Sequence, residues 1–419
     1  MRELLYLELG FSDYASYGAA LALSQGRPIR LAAQYPDKSL DFEFQTNPKP
    51  LAMELDLIHR FSGVDAVSTM SLPDLLARYS GRDLLGVISY SDAHIMNAAL
   101  LAQHLGLPCA DPTGIENCIF KDRAREMTNP LGHPVAYAVR VAENAGQTSP
   151  VGYPCVVKPV VGRASYGVSV CYDDAGYVAA VDEAIIYYRA TSGGAESVPS
   201  ILVEEYVDGP EYSGELIWDD LEGCWRLLGV TNTALMTPPP VRREIGHIFP
   251  WSFGPELDRT VEETLIAWLN AVGHRRGAAH IEFKVVANRP ALIEINPRLP
   301  GGGLRRLIQL ATGFDVVDAY QRIYLGEPQP WPGPLPHHGY SVLRDLLTER
   351  SGRVKRITEP AVTAPAVVET ATRDPERLPP LPRDSHLAYA ISLAPTPEAA
   401  LHAASTHVEA IHVEYADGQ

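Results

Sequence analysis

Two carboxylates and a carboxamide stand close together in a pair of predicted strands. Residues 280–286 and 291–296 alternate apolar with polar side chains, which predicts a β-hairpin whose polar set is Glu282, Glu294 and Asn296. Two carboxylates that face each other on a half-buried sheet are costly unless a cation lies between them. Oxygen ligands of this kind suit Mg²⁺, whose other ligands are commonly waters and nucleotide phosphates. We therefore predict a magnesium site here, in preference to two solvated glutamates on an exposed face.

The register of this hairpin follows from its apolar residues, which are Ile281, Phe283, Ile293 and Ile295. If all of them enter the same core, Val286 pairs near Pro290 across a three-residue loop. Glu282 then lies opposite Glu294, with Asn296 one pleat along.

A glycine-rich segment, KPVVGRASYG, runs from Lys158 to Gly167 between two predicted strands. Gly162 and Gly167 would let backbone N–H groups approach an anion closely, and Lys158 would add a positive charge. The segment is not a Walker A loop, because no GK[ST] follows and the next element is a strand. Taken alone, it fits an anion-binding loop and a flexible hairpin with a surface lysine equally well.

A short acidic run, Glu204-Glu205-Tyr206-Val207, ends another predicted strand, and Glu211 follows it. Such a strand end offers backbone amides to a flat heterocycle and a carboxylate to a ribose hydroxyl. Taken alone, the run is more typical of an acidic strand end on the protein surface.

The first hundred residues alternate short β-rich runs with helical stretches, which predicts an α/β fold with an open parallel sheet and crossover helices. The predicted elements are strands at Leu4–Leu9, Ile29–Ala33 and Leu84–Ser89, and helices at Ser16–Ser24 and Ala93–Gly106. Asp92 can cap the last of these helices. The turn after the first strand lacks GxGxxG, so a dinucleotide-binding interpretation finds no support.

Beyond the parallel sheet, Thr113 can cap a helix that carries Lys121, Arg123 and Arg125 and ends before Asn129. The further predicted strands are Val135–Val141, Cys155–Lys158, Val168–Tyr172, Ile201–Val207, Tyr212–Trp218 and Leu387–Leu393. The further predicted helices are Asp258–Val272 and Pro397–Ile411, and a stiff proline-rich linker is predicted at Pro328–Pro336.

Composition excludes several classes of function. The 419 residues include 35 lysines and arginines against 51 aspartates and glutamates, a net charge of −16, so we expect no nucleic-acid partner. No apolar run approaches the ~18 residues that cross a bilayer, and Glu3 and Glu8 interrupt the first apolar stretch, unlike a secretory signal. The five cysteines are scattered and indicate reduced, structural thiols. We expect a soluble, cytoplasmic protein with no membrane partner.

The order of these features is more informative than any one of them. A lysine on a helix precedes a lysine before a glycine-rich loop, then Glu-Glu-Tyr-Val, then two carboxylates and an asparagine before an arginine. This order resembles the ATP-grasp superfamily, to which the segments GVSV, ILVEEYVDGPEYSGEL, HIEFKVV and LIEINPRLPGG are specific. Within it, VRREIGHIFP, EINPRLPGGG and the small C-terminal unit are most similar to the L-amino-acid ligases, which join two unprotected amino acids at the expense of ATP.

The resemblance implies three domains. Residues 1–112 resemble a Rossmann-like pre-ATP-grasp domain, and residues 113–328 resemble an ATP-grasp domain with a central subdomain at about 130–210. Residues 329–419 resemble a linker and the C-terminal α+β domain of the L-amino-acid ligases. We expect a homodimer, and the C-terminal domain either caps the active site or builds that dimer.

The resemblance also implies how ATP and metal are bound. The residues that would hold ATP are Lys121, Lys158, Gly162, Ser165 and Gly167 at the phosphates, with Glu204, Glu205, Val207 and Glu211 at adenine and ribose. Glu282, Glu294 and Asn296 would ligate one or two Mg²⁺ ions, for which Mn²⁺ can substitute.

The implied substrate site adjoins the phosphates. Arg298 would neutralise the carboxylate substrate and then its acyl phosphate, and with Lys158 it would be catalytic. Glu244 and His247 match the stretch that contacts the first amino acid. Gly301 and Gly302 would leave room beside the acyl phosphate.

The activity implied is that of an ATP-dependent acid–amino-acid ligase in small-peptide natural-product biosynthesis. It joins two free L-amino acids, or an unusual amino acid and an L-amino acid, into a dipeptide and releases ADP and phosphate. Three alternatives stay open. The carboxylate substrate is not an amino acid, or the enzyme is a carboxylase that uses bicarbonate, or the chain binds a nucleotide without turnover. The last is disfavoured because the basic and acidic set is intact, and the second because the sequence has no biotin-carrier-like segment.

Overall fold

The computed structural model describes residues 2–8, 13–33, 59–67, 70–132, 135–162, 167–191, 200–236, 244–361 and 366–416. The strands within these ranges form one parallel and one antiparallel four-stranded sheet, an eight-stranded antiparallel sheet and a two-stranded ladder. The predicted mixed α/β fold is therefore confirmed. None of the helices in the described ranges is both long and apolar enough to cross a lipid bilayer.

The first part of the chain forms the parallel sheet that the alternating pattern predicts. Its strands are β1 (Glu3–Leu7), β2 (Ile29–Ala33), β3 (Gly63–Ala66) and β4 (Leu84–Ile88), and its helices are α1 (Asp13–Ser24), α2 (Leu72–Tyr79) and α3 (Ile95–His104). The strand order is β3-β2-β1-β4, so the chain reverses its direction of winding between β1 and β4. Open α/β sheets bind ligands at such a switch point, beyond the carboxyl ends of the strands.

The helix after β4 begins later than predicted, and Asp92 does not cap it. Helix α3 starts at Ile95 with His94 at its N-cap and no side-chain cap hydrogen bond. The Asp92 carboxylate instead accepts a hydrogen bond from Arg298, which is 206 residues away in sequence. A charge-assisted bond to a guanidinium is stronger than a cap to a neutral amide, which accounts for the difference.

The helix predicted to be capped by Thr113 and to end before Asn129 is two helices, α4 (Pro112–Ile119) and α5 (Lys121–Thr128). Asp111 rather than Thr113 is the cap, because its carboxylate accepts from the Thr113 amide at 2.8 Å. Phe120 is extended and breaks the run. The break lets the Lys121 amide bond to the carbonyl of Val160 at 2.9 Å, which ties α5 to the central sheet.

The central antiparallel sheet has the strand order β5-β8-β6-β7. Its strands are β5 (Tyr137–Val141), β6 (Cys155–Pro159), β7 (Ser169–Cys171) and β8 (Ser200–Glu205). Helix α6 (Asp174–Thr191) packs on one face through Tyr177, Ala180 and Ala184. The opposite face carries Lys158 and Glu204.

The large sheet has the strand order β13-β12-β9-β10-β11-β14-β17-β16. Its first five strands in sequence are β9 (Glu211–Asp219), β10 (Cys224–Met236), β11 (Glu244–Trp251), β12 (Ala278–Val286) and β13 (Arg289–Asn296). Helix α7 (Pro255–Val272) covers one face, with Val261, Leu265, Trp268 and Leu269 in the core. Helices α8 (Leu304–Thr312) and α9 (Val316–Leu325) pack on the other face and against the parallel sheet.

The C-terminal strands continue this large sheet. They are β14 (Tyr340–Leu347), β16 (Val367–Thr372) and β17 (His386–Ala394), with β14 paired to β11. The short strands β15 (Val354–Thr358) and β18 (His412–Tyr415) form the separate ladder, and α10 (Pro397–Glu409) covers β14 and β17. The three domain boundaries and the homodimer stay predictions.

The β12–β13 hairpin turns more tightly than predicted. Its loop is two residues, Ala287 and Asn288, and Val286 pairs with Arg289 while Pro290 lies one position further on. Ala287 and Asn288 have φ values of 47° and 59°, as a type I′ turn requires. Asn tolerates this left-handed conformation better than Ala, so only one of the two turn residues suits a type I′ turn.

A β-bulge at Ile293 restores the predicted register at the site. Phe283 pairs with Leu292 and Glu282 with Glu294, so Ile293 has no partner in the ladder. The facing of the two carboxylates is therefore confirmed. The extra residue shifts the alternation, so the prediction that Ile293 enters the core was wrong; the buried apolar residues of the hairpin include Ile281, Phe283, Leu292 and Ile295.

Replacing Ala287 with Gly should raise the free energy of unfolding by about 0.5–1 kcal/mol, because Gly adopts positive φ without a steric cost. Asn288→Ala, at the other turn position, should lower it by a similar amount. Chemical denaturation of both variants measures the two changes. A loss of stability in Ala287→Gly would contradict the turn geometry.

Candidate functional site

The site lies at the β12–β13 hairpin, at the edge of the large sheet, on the face that Glu282 and Glu294 share. Contacts from Lys158 on β6 and from Asp92 after β4 join it to the central sheet and the parallel sheet. At its centre the Lys121 ammonium donates to Glu294 at 3.0 Å, and Asn296 donates to Glu282 at 3.4 Å. Burial, with the neighbouring charge of Glu282, raises the pKa of Glu294 against the effect of Lys121. Burial also acts to raise the pKa of Glu282, but the His280 imidazole, with Lys121 and Arg298, holds it below its ordinary value. Each of the facing carboxylates thus has a cationic side chain beside it, Lys121 at Glu294 and His280 at Glu282, and the magnesium site stays a prediction.

A buried polar network beside Glu282, on the same face of β9 and β12, fixes this carboxylate. The Glu215 carboxylate accepts from Ser213 at 2.6 Å and from Thr231 at 3.1 Å, and lies 2.9 Å from His280 Nδ1. His280 Nε2 faces Glu282 Oε1 at 3.4 Å. Burial lowers the pKa of His280, but Glu215 and Glu282 together raise it to about 10. The imidazolium therefore holds Glu282 from a neighbouring position on the same face of the sheet.

A second cluster holds Lys158. Its ammonium pairs with Glu204, whose other oxygen pairs with Arg125, and the Arg125 side chain is fully buried. Burial acts to raise the pKa of Glu204, yet Arg125 and Lys158 lower it to about 2. Burial lowers the pKa of Lys158. The carbonyl of Ile293, left without a ladder partner by the bulge, accepts from Arg125 at 2.9 Å and from Lys158 at 3.4 Å.

Arg298 follows the hairpin and reaches toward the parallel sheet. Its Nε donates to Asp92, which stands just after β4, and its Nη1 donates to the Leu299 carbonyl at 2.9 Å. Burial acts to lower the pKa of Arg298, but Asp92, Glu282 and Glu294 raise it. The guanidinium is thus held in a fixed orientation, close enough to the paired glutamates for their charges to act on it.

The glycine-rich loop begins next to these cations. The Gly162 carbonyl accepts from Lys121 at 3.2 Å, and Gly167 adopts a φ of 73°. Ser165 lies outside the described residues. The placement of Gly162 supports a loop at the phosphates, and the role of the loop stays a prediction.

The two glutamates of the acidic run lie in different environments. Glu204 is 6% exposed and belongs to the Lys158 cluster, so it is not a surface carboxylate, whereas Glu205 is exposed. The Val207 carbonyl accepts from Lys284 at 2.9 Å, and the Lys284 ammonium lies 5.4 Å from the centroid of the Tyr206 ring. Glu211 begins β9 opposite Lys284. The adenine and ribose roles of the implied residues stay predictions.

The segment implied to contact the first amino acid lies on β11. His247 is buried, and a Cβ on Gly302 would stand 2.8 Å from its Nε2. Gly302 also has a φ of 64°, whereas a Cβ on Gly301 would have no atom of the described residues within 4 Å. Glu244 is described by its backbone alone, which pairs with Met236. Open space therefore lies at Gly301 rather than at Gly302.

The donor set fits a magnesium ion that arrives with a nucleotide. Among the described residues, no group of three or more His, Cys, Asp and Glu side chains is placed to hold a metal ion. Glu282, Glu294 and Asn296 offer two carboxylates and one amide oxygen, so phosphate and water oxygens would complete an octahedral shell.

Sequence reasoning missed the residues that support this set, which are Arg125, Glu215, His280 and Asp92. The signals were present but weak. Arg125 follows Lys121 by one helical turn, and Glu215 is a charged residue inside an otherwise apolar strand, which requires a buried partner.

Glu204→Gln should lower the free energy of unfolding by about 3–5 kcal/mol at neutral pH, because it leaves two buried cations without their carboxylate. The ionised Glu204 of the wild type stabilises the fold fully above pH 4.5, and this contribution is lost as pH falls toward about 2. The variant should therefore lose less stability than the wild type over that range. Glu205→Gln is the matched control and should change stability by less than about 0.5 kcal/mol. Equal effects of the two variants in urea denaturation would contradict the buried cluster.

Residues 151–305 match the ATP-grasp domain family. The chain is 32% identical over 273 residues to the uncharacterized protein y4rH of Sinorhizobium fredii. This aligned segment covers 63% of this chain and 54% of that protein. It is 25% identical over 331 residues to carnosine synthase 1 of Homo sapiens, and this alignment covers 74% of this chain and 37% of that enzyme. The chain thus spans about half, or less, of the length of these relatives.

Among solved structures, an L-amino acid ligase from Bacillus licheniformis superposes with a TM-score of 0.78 at 17% identity, over 100% of this chain and 99% of that one. The similarity extends from the parallel sheet to the C-terminal strands. The resemblance drawn from the sequence is confirmed: residues 151–305 match the ATP-grasp domain family, and the whole chain shares the fold of the L-amino acid ligase.

Proposed function

We propose that the chain is an ATP-dependent ligase that joins the carboxylate of one amino acid to the amine of a second, through an acyl phosphate. The observation that carries this proposal is a cluster of three cationic side chains around two facing carboxylates. Lys121, Lys158 and Arg298 come from three different elements and surround the pair Glu282 and Glu294. The names of carnosine synthase 1 and of the L-amino acid ligase among the similar proteins agree with this substrate class.

The chemistry needs charge neutralisation and positioning more than a protein nucleophile. A carboxylate is a poor acyl donor, and its oxygen must attack the γ-phosphate of ATP to form an acyl phosphate and ADP. In this proposal Lys121 and Lys158 neutralise the phosphate oxygens, and Arg298 neutralises the attacking carboxylate. Mg²⁺ held by Glu282, Glu294 and Asn296 would neutralise further phosphate charge.

The buried support explains why these cations stay in position. Lys158 is fixed by Glu204 and the Ile293 carbonyl, and Arg298 by Asp92 and the Leu299 carbonyl. Groups that are already oriented need little reorganisation when negative charge develops on a phosphate.

Two rival functions use the same cations. A ligase for a non-amino-acid carboxylate would need the same phosphoryl chemistry, and a carboxylase would replace the organic acid with bicarbonate. The open space at Gly301 favours an organic acid with a side chain, because bicarbonate needs no such room.

Release of ADP and phosphate with ATP and Mg²⁺, measured across all pairs of the twenty amino acids, should occur only with particular pairs. Mass spectrometry should then find the condensed product. Arg298→Ala should be inactive in the same assay, which controls for contaminating ATPase. Turnover that needs bicarbonate and no amino acid would establish the carboxylase instead. Silence with every pair, together with acyl hydroxamates from other acids, would establish the non-amino-acid ligase.

Glu294→Gln should reduce turnover at saturating ATP by at least about 100-fold, because one of the two facing carboxylates is lost from the metal site. Raising the Mg²⁺ concentration should recover only part of the rate. Glu116→Gln is the control. Glu116 lies on α4, and its side chain is 43% exposed and pairs with Arg123 of α5. Unchanged Mg²⁺ dependence in a folded Glu294→Gln protein would rule out the metal assignment.

A further inference from the structure

The second half-reaction of the proposed ligase has a charge requirement that the cations do not meet. An amine that attacks an acyl phosphate becomes positively charged as the C–N bond forms. A negatively charged acceptor beside that nitrogen is therefore worth more in the transition state than in the ground state.

Most carboxylates of the site already bind other side chains or are assigned to the proposed metal. Both oxygens of Glu204 bind buried cations, and Glu215 is buried against Ser213, Thr231 and His280. Glu282 and Glu294 form the proposed metal pair. Glu205 and Glu211 belong to the implied adenine and ribose end of the site. Of the other site carboxylates whose side chains the structure describes, Asp92 is the one left for a substrate.

The Asp92 carboxylate has one oxygen without a hydrogen bond in the described structure, and it is accessible to solvent. Its Oδ1 accepts from Arg298 Nε, and within the described ranges its Oδ2 has no hydrogen bond. Its side chain is 32% exposed. Asp92 stands just beyond the carboxyl end of β4, beside the switch point between β1 and β4 where open α/β sheets bind ligands.

We propose that Asp92 receives the amine of the second substrate, with Oδ2 accepting an N–H from the attacking nitrogen. This assignment rests on the proposed function, because Arg298 must hold the acyl phosphate for the arrangement to be productive. The hydrogen bond from Arg298 to Oδ1 then places the acceptor for the amine next to the group that holds the acyl donor.

The step is balanced without a further reactant. The ammonium form of the substrate loses one proton to solvent, and its lone pair forms the C–N bond while the C–O bond to phosphate breaks. The phosphate leaves with the electron pair of that bond. The nitrogen then loses a second proton, which the departing phosphate takes up, so that the products are the amide, HPO₄²⁻ and the H⁺ released to solvent at the start. Asp92 stabilises the nitrogen while it is cationic.

Asp92→Asn tests this assignment, because it keeps the shape and removes the charge. Two rates are compared with those of the wild type: condensation of the two amino acids, and exchange of labelled ADP into ATP that depends on the carboxylate substrate alone. The exchange requires the acyl phosphate but no amine. We expect condensation to fall by about 100-fold or more, with a raised KM for the amine substrate, and exchange to fall only several-fold.

The outcomes separate this assignment from the proposed function. Parallel losses in both assays would show that Asp92 only orients Arg298, and near-wild-type condensation would show that it does not contact the amine; either overturns the assignment. Asp92→Glu, which keeps the charge, should recover more condensation than Asp92→Asn. Asp83→Asn removes the charge of an Asp–Arg pair on the surface of the same sheet and should leave both rates unchanged. A wild-type protein that condenses no amino acids overturns the proposed function, and this assignment with it.

Discussion

The bulge at Ile293 is the constraint on which the site depends. By leaving one carbonyl out of the β12–β13 ladder, it provides an acceptor that both Arg125 and Lys158 share. The same extra residue brings Glu282 opposite Glu294, although the turn beyond is tighter than the apolar pattern suggests. One irregularity thus sets the position of Lys158, the lysine proposed to bind phosphate, and of the two metal-binding candidates.

Charge balance explains how so many ionised groups are accommodated in one place. Each buried carboxylate has a cation or several donors beside it: Glu204 has Arg125 and Lys158, and Glu294 has Lys121. A buried pair gives little net stability compared with apolar residues of the same shape. Its value here is orientation, because side chains held on two sides need no rearrangement when a triphosphate enters.

Much of this arrangement could be predicted, and what could not has a physical reason. The alternation around Glu282 and Glu294 fixes which side chains share a face, because a strand has a period of two. Phe120 carries no local signal for its extended conformation, since the Lys121 amide finds its partner on a distant strand. Asp92 has good cap chemistry, and only the folded chain brings Arg298 within reach. Strands β10 and β11 were missed because their mixture of small, polar and charged residues lacks a clear alternation. Long-range pairings of this kind decide between local options that the sequence leaves equal.

The continuation of the large sheet into the C-terminal strands affects how such enzymes can be recombined. Because β11, which carries His247, is hydrogen-bonded directly to β14, the chain after the proline-rich linker is not a detachable module. Exchanging that part between two ligases at the linker would join strands whose side chains did not evolve together, next to the segment implied to contact the first amino acid. A chimaera with a new specificity would therefore need its crossover points placed so that β11 and β14 come from the same parent.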